Sequence, residues 1–372
     1  MARFTALPVG QGDAFLLARA DRTILVDGGR SRHSLASQVS AATAMIDVVV
    51  CTHADADHAE GLIGLLESSR VPVHEVWLPG RWSSRLADLC RDQMTFLREL
   101  HEDVCAEREA ASLEQLGAED DSQENLRTDW YPELVEEAYE HESDLEPDLL
   151  SASAHLLWND MWPFVHGLSE TKFRLWIEAV QTAARIRDLA RAAHHHGARI
   201  RWFDFDEFKK KDVPSDGEAF LKPLNSVELT KGHALRKVGA LRFLTLSVAN
   251  RESLVFLAPE TDCDSAVLFS ADSDLARCCI PAPQRKLAVT APHHGSNANS
   301  AAYSAVSDAT ENVIWVRSDG NYRNRPGEKF LERETRVCTL CRNGGASKQA
   351  VLLDDQPAGW ALTAGVRVCQ CK

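Results

Sequence analysis

The chain has 372 residues, of which 44% are hydrophobic and 26% are charged. This composition supports a sizeable core and excludes wholesale disorder. The formal net charge is −14, and an acidic surface repels phosphate backbones, which disfavours a protein that coats nucleic acid. A local basic group or a bound cation could still hold a single phosphate ester.

The beginning of the chain, Met1-Ala2-Arg3-Phe4-Thr5, leads directly into a strand-like run. It lacks the basic segment and the apolar stretch of a secretion signal. No apolar run in the sequence approaches the length that crosses a bilayer. We therefore expect a cytoplasmic protein that makes no use of a membrane.

The first predicted domain segment, residues 1–81, alternates short strands with turns. Phe15–Leu17 and Thr23–Val26 are strand-like, and Asp27-Gly28-Gly29 follows the second of them as a turn signal. The β-branched run Ile46–Cys51 is typical of a buried strand. A helix is expected after the polar residues that follow, with Leu62, Leu65 and Leu66 on one face.

A change of composition marks residues 82–196, which are rich in Glu, Ala, Leu, Arg and Trp. Leu86–Glu109 and Thr171–His195 carry apolar residues at helical spacing, and the acidic patch Glu119–Ser122 is typical of a loop between helices. We interpret this stretch as a helical insertion, which could cap an active site or bind a protein partner.

Residues 197–372 return to strand-like patterns and form the second part of the interrupted domain. The predicted strands in this part are Leu241–Val248, Ser253–Leu257, Ala266–Ser270, Lys286–Thr290 and Val313–Val316.

The segment Thr52-His53-Ala54-Asp55-Ala56-Asp57-His58 carries four metal-ligating side chains directly after a predicted buried strand. A tight loop can bring these side chains together, and imidazole with carboxylate suits zinc, manganese or iron. Two alternatives are a solvated Asp-rich turn and a phosphotransfer Asp-x-Asp. A calcium loop is excluded because the required Gly and distal Glu are missing at their offsets.

At this point the sequence resembles the metallo-β-lactamase fold, whose signature is Thr-His-x-Asp-x-Asp-His after a strand. Four further segments match that fold in the same order along the chain, and Val9–Ala14 resembles the opening of the hydrolase domain in competence-type (ComEC-like) DNA-uptake proteins. The four segments are Ile24–Gly29, Asn250–Val255, Val267–Asp272 and the His-His-Gly-Ser motif Ala291–Ser296. The resemblance implies an α/β fold, an αββα sandwich interrupted by the helical insertion.

The resemblance also implies a centre of two divalent metal ions, with zinc favoured and manganese as the alternative. His53 and Asp55 would serve one ion, and Asp272 would bridge both ions. The other ion would be held by Asp57, His58 and one of His293 and His294, of which we favour His294.

The candidate catalytic residues are Asp57, His293 and Asp27. Asp27 would orient a ligand from behind, and either Asp57 or His293 could pass a proton to the leaving group. Ser296 and Arg325 are the candidate substrate-binding residues; Arg325 stands where the family normally has His before Pro, and could clamp a phosphate or a carboxylate.

A further departure from the family is the lone His of its third metal motif, which has no clear counterpart in this sequence. His74 and the histidines of the insertion are candidates by position only. One metal ion could therefore be completed by solvent.

Three functions follow from these observations. We favour a phosphodiesterase or nuclease that acts through a hydroxide bridging the two metal ions on a phosphate-ester or nucleic-acid substrate. The alternatives are a hydrolase of ester, thioester or lactam carbonyls, and a regulatory member that binds a partner.

Ten cysteines are too few for a disulfide scaffold in a chain of this length. Cys338-x-x-Cys341 and Cys369-x-Cys371 could together form a four-thiolate zinc site. The second pair is more closely spaced than in the usual zinc ribbon, so the sequence favours separate thiols at these four positions.

Overall fold

The structure is a computed structural model of the chain. It describes residues 2–106, 168–230, 238–244, 252–283, 285–297, 299–309, 312–319, 325–341, 348–366 and 368–371. The predicted loop Glu119–Ser122 lies outside these residues. Among the described residues, no helix is long and apolar enough to cross a membrane.

The chain divides into two compact units. The first comprises Met1–Ser83, Asp188–Leu235 and Arg251–Lys372. The second comprises Ser84–Arg187 and Arg236–Asn250. All strands of the described residues belong to the first unit, whereas the boundaries of the predicted insertion, 82–196, stay a prediction.

One sheet of the first unit has nine strands in the described residues, in the order β15-β14-β1-β2-β3-β4-β5-β6-β8. Its strands are β1 (Arg3–Ala6), β2 (Phe15–Ala18), β3 (Thr23–Val26), β4 (Ile46–Val50), β5 (Val73–Pro79), β6 (Arg199–Asp204), β8 (Val227–Glu228), β14 (Val351–Gln356) and β15 (Gly359–Leu362). The strands from β3 to β6 pair in parallel. Their carboxyl ends therefore lie at one edge, where loops can carry a site.

The other sheet has six strands in the described residues, in the order β13-β12-β11-β10-β9-β7. Its strands are β7 (Lys222–Pro223), β9 (Phe256–Ala258), β10 (Val267–Phe269), β11 (Leu287–Thr290), β12 (Val313–Arg317) and β13 (Arg336–Cys338). The four strands from β10 to β13 are parallel, and β13 forms one edge of this sheet in the described residues.

The main core lies between the two sheets and draws apolar side chains from both. Val26 and Val50 of the first sheet pack in one cluster with Phe269 and Val316 of the second. Alternate residues such as Leu25 are also buried but point to the other face of their sheet, as the two-residue period of a strand requires.

Helices connect the strands of each sheet. Those of the described residues are α1 (Leu35–Ala42), α2 (Ala56–Ser68), α3 (Leu86–Arg91), α4 (Gln93–Ala106), α5 (Glu170–His196), α6 (Phe205–Lys211), α7 (Ala240–Leu244), α8 (Ala301–Ala309) and α9 (Glu328–Leu331). Two sheets flanked by helices are the predicted sandwich, so the fold class predicted from the sequence is confirmed.

One predicted strand is wrong in its described part. Leu241–Val248 was expected to be extended, but Ala240–Leu244 is the helix α7. Its Phe243 ring lies against Phe96 of α4 with ring centroids 5.8 Å apart, and the backbone N–H of Leu241 donates to Asp103. A short apolar run has no period that separates helix from strand, so packing against α4 decided the outcome.

A close approach of backbones at Gly61 fixes α2 against the turn that follows β3. The Gly61 N–H donates to the Gly29 carbonyl at 2.8 Å, and the Gly28 N–H donates to the His58 carbonyl at 2.9 Å. A Cβ at position 61 would lie only 1.9 Å from the Gly28 carbonyl oxygen. The close contact between Gly28 and Gly61 thereby brings the start of α2 beside Asp27.

We expect Gly61→Ala to lower the free energy of unfolding by about 2–3 kcal/mol, because the new methyl group meets backbone that cannot move aside cheaply. Urea denaturation measures this loss. Glu67→Ala is the control, since Glu67 is exposed on the same helix and should change the value by no more than about 0.5 kcal/mol. Equal effects of the two substitutions would contradict the close packing at Gly61.

Candidate metal centre

The loop after β4 places two histidines in the interior. Asp55 precedes the first residue of α2 with extended backbone, and His58 lies in the first turn of that helix. The side chains of His53 and His58 are fully buried, with their ring centroids 3.9 Å apart. Because the chain turns from strand to helix within these residues, their side chains converge instead of alternating.

Asp27, at the end of β3, holds this loop in place. Its Oδ1 accepts the Thr52 backbone N–H at 2.9 Å, and its Oδ2 accepts the Thr52 hydroxyl at 2.8 Å. The same Oδ2 lies 2.8 Å from His58 Nδ1. This contact directs Nε2 of His58 away from Asp27 and fixes the ring, as a carboxylate behind a metal-binding imidazole does.

The second sheet contributes residues from the ends of β10 and β11. Asp272 follows Ala271, whose φ is 47°, and His293 and His294 have φ values of 47° and 52°. Such left-handed backbone is costly for residues with a side chain and concentrates at functional sites. Buried Arg317 supports the turn, since its Nε donates to the His294 carbonyl at 2.7 Å.

His53, Asp55 and Asp272 form one group of potential ligands. His53 Nε2 lies 3.5 Å from an oxygen of Asp55 and 3.5 Å from Oδ2 of Asp272. Within the described residues, His53 Nε2 makes no hydrogen bond although it is buried. A cation between these three groups would satisfy that atom.

A second group of potential ligands, formed by Asp13, His58, Asp272 and His294, surrounds the other oxygen of Asp272. His58 Nε2 lies 3.3 Å from Asp272 Oδ1 and 3.2 Å from His294 Nε2. His294 Nε2 is also 3.2 Å from Asp57 Oδ2. Asp272 thus presents one oxygen to each group, which is the geometry of a bridging carboxylate.

These separations fit metal coordination. Ligand atoms about 2.0–2.1 Å from a tetrahedral zinc ion stand about 3.3 Å apart, close to the distances within both groups. Two buried imidazole nitrogens that face each other, as in His58 and His294, repel when neither carries a proton. Either a shared proton or a cation must lie between them.

Asp13 is a member of the site that the sequence analysis missed. Its Oδ1 lies 3.0 Å from His294 Nδ1, so it supports His294 from behind as Asp27 supports His58. Asp13 reaches this position because Gly12, with a φ of 94°, passes against the Asp57 backbone; a Cβ there would lie 1.8 Å from the Asp57 carbonyl oxygen. The glycines on both sides of Gln11 were the available signal.

The carboxylates change the protonation of the imidazoles. Burial and the neighbouring His58 lower the pKa of His53, but Asp55 and Asp272 outweigh them and raise it to about 9. Burial likewise opposes the charged form of His58, yet Asp272 and Asp27 raise its pKa well above the ordinary value. Protons on the rings thus compensate the acids, a role that metal ions take over on binding.

Arg325 and His293 lie beside the first group. The Arg325 guanidinium donates to His293 Nε2 at 3.0 Å, so Nε2 is unprotonated and the ring proton of a neutral His293 resides on Nδ1. His293 Nε2 is 3.8 Å from Asp272 Oδ2. Ser296 is half-buried just after this turn, and its N–H donates to the His293 carbonyl.

Of the positional candidates for the missing third motif, His141, His155 and His166 lie outside the described residues, and none of the others belongs to either potential ligand group. The His74 side chain is 58% exposed and faces Asp47. His196 accepts the Val73 N–H at 3.1 Å and contacts the Leu66 carbonyl.

The comparisons with known proteins agree with this geometry in part. The family model described as the metallo-beta-lactamase superfamily matches residues 7–155, the part that carries Asp13, Asp27 and the Thr52–His58 loop. The two sheets flanked by helices are consistent with the metallo-β-lactamase fold of that family. No curated protein matches the chain.

Among solved structures, one similar chain is AidC, a dizinc quorum-quenching lactonase in complex with the product N-hexnoyl-L-homoserine. It is 9% identical with a TM-score of 0.31, and the match covers 94% of this chain and 78% of that chain.

We expect metal binding to weaken as the pH falls from 9 to 6. The raised pKa of His53, about 9, means that a metal ion must displace a ring proton throughout this range, which costs about tenfold in apparent affinity per pH unit for each proton displaced. Competition with a chromophoric chelator, corrected for the chelator's own protonation, measures the slope. An affinity independent of pH would contradict the assignment of His53 as a ligand.

Proposed function

We propose that this protein is a hydrolase that uses two divalent metal ions and cleaves phosphodiesters. The observation that carries the proposal is the position of Asp272, which presents one carboxylate oxygen to each of two groups of potential ligands. A site that holds two cations close together is typical of enzymes that hydrolyse phosphate esters.

In this proposal the ligands divide between two ions that share Asp272. His53 and Asp55 would hold one ion, and Asp57, His58 and His294 would hold the other. Zinc is the favoured metal because nitrogen and carboxylate ligands at tetrahedral spacing suit it, with manganese as the alternative. The ions, when bound, supply a hydroxide at neutral pH and stabilise negative charge in the transition state.

The remaining residues of the site orient the metal-binding rings and transfer protons. Asp27 and Asp13 fix the rings of His58 and His294, so that Nε2 of each ring faces the centre. His293 carries its proton on Nδ1 while Arg325 occupies Nε2. When a substrate draws Arg325 away, Nε2 becomes available to accept a proton, which it can then pass to the leaving group. Asp57 is the alternative proton carrier.

The charge and position of Arg325 favour an anionic substrate. A guanidinium is always charged and offers a planar fork of donors that matches phosphate or carboxylate oxygens. Its position 3.0 Å from His293 brings that charge to the edge of the centre in a chain that is otherwise acidic. The resemblance of Val9–Ala14 to competence-type proteins also favours a nucleic-acid or nucleotide phosphodiester, and a carbonyl ester remains the competing substrate.

The test combines metal analysis with a substrate panel. Full-length wild type and Asp272→Ala are analysed for metal in parallel, so that their difference counts the ions of this centre. The substrates are bis-p-nitrophenyl phosphate, single-stranded DNA, RNA, a thioester and a lactone, with and without chelator. Chelator-sensitive cleavage of a diester supports the proposal. If wild type and Asp272→Ala contain equal amounts of metal and neither hydrolyses any substrate, the proposal of an enzyme is wrong. If only the thioester and the lactone are cleaved, the proposal of a phosphodiesterase is wrong.

We expect Arg325→Ala to raise KM for bis-p-nitrophenyl phosphate by about 10- to 100-fold, the worth of a hydrogen bond to a charged group. Arg325→Lys should recover only part of this loss, because lysine keeps the charge and loses the fork. Steady-state kinetics measures KM and kcat separately.

Arg277→Ala is the control for this prediction, since Arg277 is an exposed arginine paired with Asp212. An unchanged KM in Arg325→Ala would exclude Arg325 from substrate binding.

A further inference from the structure

Four cysteines that are distant in sequence meet at the edge of the second sheet. Cys338 is the last residue of β13 and Cys341 follows three positions later, whereas Cys369 and Cys371 lie close to the carboxyl terminus. All four sulfur atoms lie within 4.8 Å of one another. The sequence favoured separate thiols at these positions, and the fold brings them together.

The spacing of the sulfurs differs from that of a disulfide. Cys341 Sγ and Cys371 Sγ are 3.6 Å apart, whereas a disulfide requires about 2.05 Å. In a tetrahedral site with zinc–sulfur bonds of about 2.3 Å, the sulfurs stand about 3.8 Å apart. None of the four cysteines is in a disulfide, so the arrangement offers four ligands of one type at the spacing of a tetrahedron.

The backbone around the sulfurs is ordered in the way that a metal–thiolate site needs. The Gln370 N–H donates to Cys341 Sγ at 3.1 Å, and such N–H···S bonds stabilise a thiolate charge. The Cys369 N–H donates to the Arg336 carbonyl at 3.1 Å. This bond fixes the segment that carries Cys369 alongside β13, which brings the two cysteine pairs together.

Apolar packing alone does not explain the group. Cys338, Cys369 and Cys371 are buried in the cluster on the outer face of the second sheet, where single thiols would pack as small apolar groups. Cys278 contacts the same cluster and stays outside the group of four. Packing therefore accommodates an isolated thiol here, and the convergence of four sulfurs requires another reason.

We propose that Cys338, Cys341, Cys369 and Cys371 bind a structural zinc ion that fastens the carboxyl-terminal segment to β13. Four protein ligands leave no coordination position for substrate, so the site is structural and not catalytic. Thiolate ligands select zinc among the common divalent ions. The inference stands independently of the hydrolase proposal, since it shares no residue with the Asp272 centre.

The decisive experiment replaces zinc by cobalt in the full chain. Cobalt bound by thiolates has sulfur-to-metal charge-transfer absorption in the near ultraviolet, which cobalt bound by imidazole and carboxylate lacks. We expect this absorption in wild type and in Asp272→Ala, and its loss together with one metal ion per chain in the double variant Cys369→Ser/Cys371→Ser. Cys278→Ser is the matched control and should retain both.

A second measurement on wild type covers the case in which the double variant does not fold. Titration with a mercurial reagent should release one zinc ion as these four thiols react, and peptide mass analysis should find them protected from alkylation until a chelator is added. Absence of the charge-transfer band in folded cobalt protein would overturn the proposal. So would alkylation of the four thiols without zinc release, or two disulfides at these positions.

Discussion

Replacing Asp272 by alanine is expected to abolish metal-dependent turnover, with a loss of at least roughly 10³-fold in kcat, because the two ligand groups lose the residue they share. One Asp272 oxygen lies 3.5 Å from His53 Nε2 and the other 3.3 Å from His58 Nε2. Without Asp272, only His53 and Asp55 remain in the first ligand group. One metal ion or both should therefore be lost.

Metal analysis and kinetics of the same preparation check this prediction. Asp274→Ala is the matched control, since Asp274 is two residues away on the same loop, is only half-buried and belongs to neither ligand group. The control should keep its metal and its turnover. Retention of both by the Asp272 variant would refute the shared-ligand scheme.

Asp27 and Asp13, the carboxylates behind His58 and His294, should contribute more to metal affinity than to the fold. Asp27→Asn and Asp13→Asn are each expected to lower metal affinity or turnover by about 10- to 100-fold, the usual cost of removing such a partner. The cause is the loss of a charge that fixes the tautomer of His58 or His294. Asparagine keeps the shape of the side chain, so the fold should persist.

The two variants should nevertheless differ in stability. Asp27 also accepts two hydrogen bonds from Thr52, so Asp27→Asn should lower the midpoint of unfolding more than Asp13→Asn does. Zinc competition and thermal unfolding of both variants measure the two effects. Asp21→Asn, at an exposed position, is the control, and affinities within threefold of wild type for both variants would contradict the role of these residues.

The sequence was most informative where chemistry and local pattern coincide. The four ligating side chains of Thr52–His58 lie within one turn between a strand and a helix, so their convergence needs no long-range information. The strands β3 and β4 were visible from β-branched residues. The αL conformations at His293 and His294, in contrast, depend on support from Arg317, which no motif indicates.

The role of Asp13 depends on a contact that is distant in sequence. It acts through His294, 281 positions away, and a single aspartate in a glycine-rich turn has no spacing that announces a partner at that distance. Arg325 is similar: the sequence indicated an arginine in place of a histidine, and only the fold placed it against His293.

The sequence by itself predicted the fold class and the two-sheet pattern through its resemblance to the metallo-β-lactamase fold, and it predicted the ligand types of the proposed Asp272 centre through compact motifs. Tertiary structure alone decided that α7 is a helix, that Asp13 supports His294 and that four cysteines from two segments meet. Each of these depends on contacts between segments far apart in the chain. Packing against α4 decides the helix α7. The packing of the sheets and the position of the edge strand decide the other two, and no local pattern encodes these contacts.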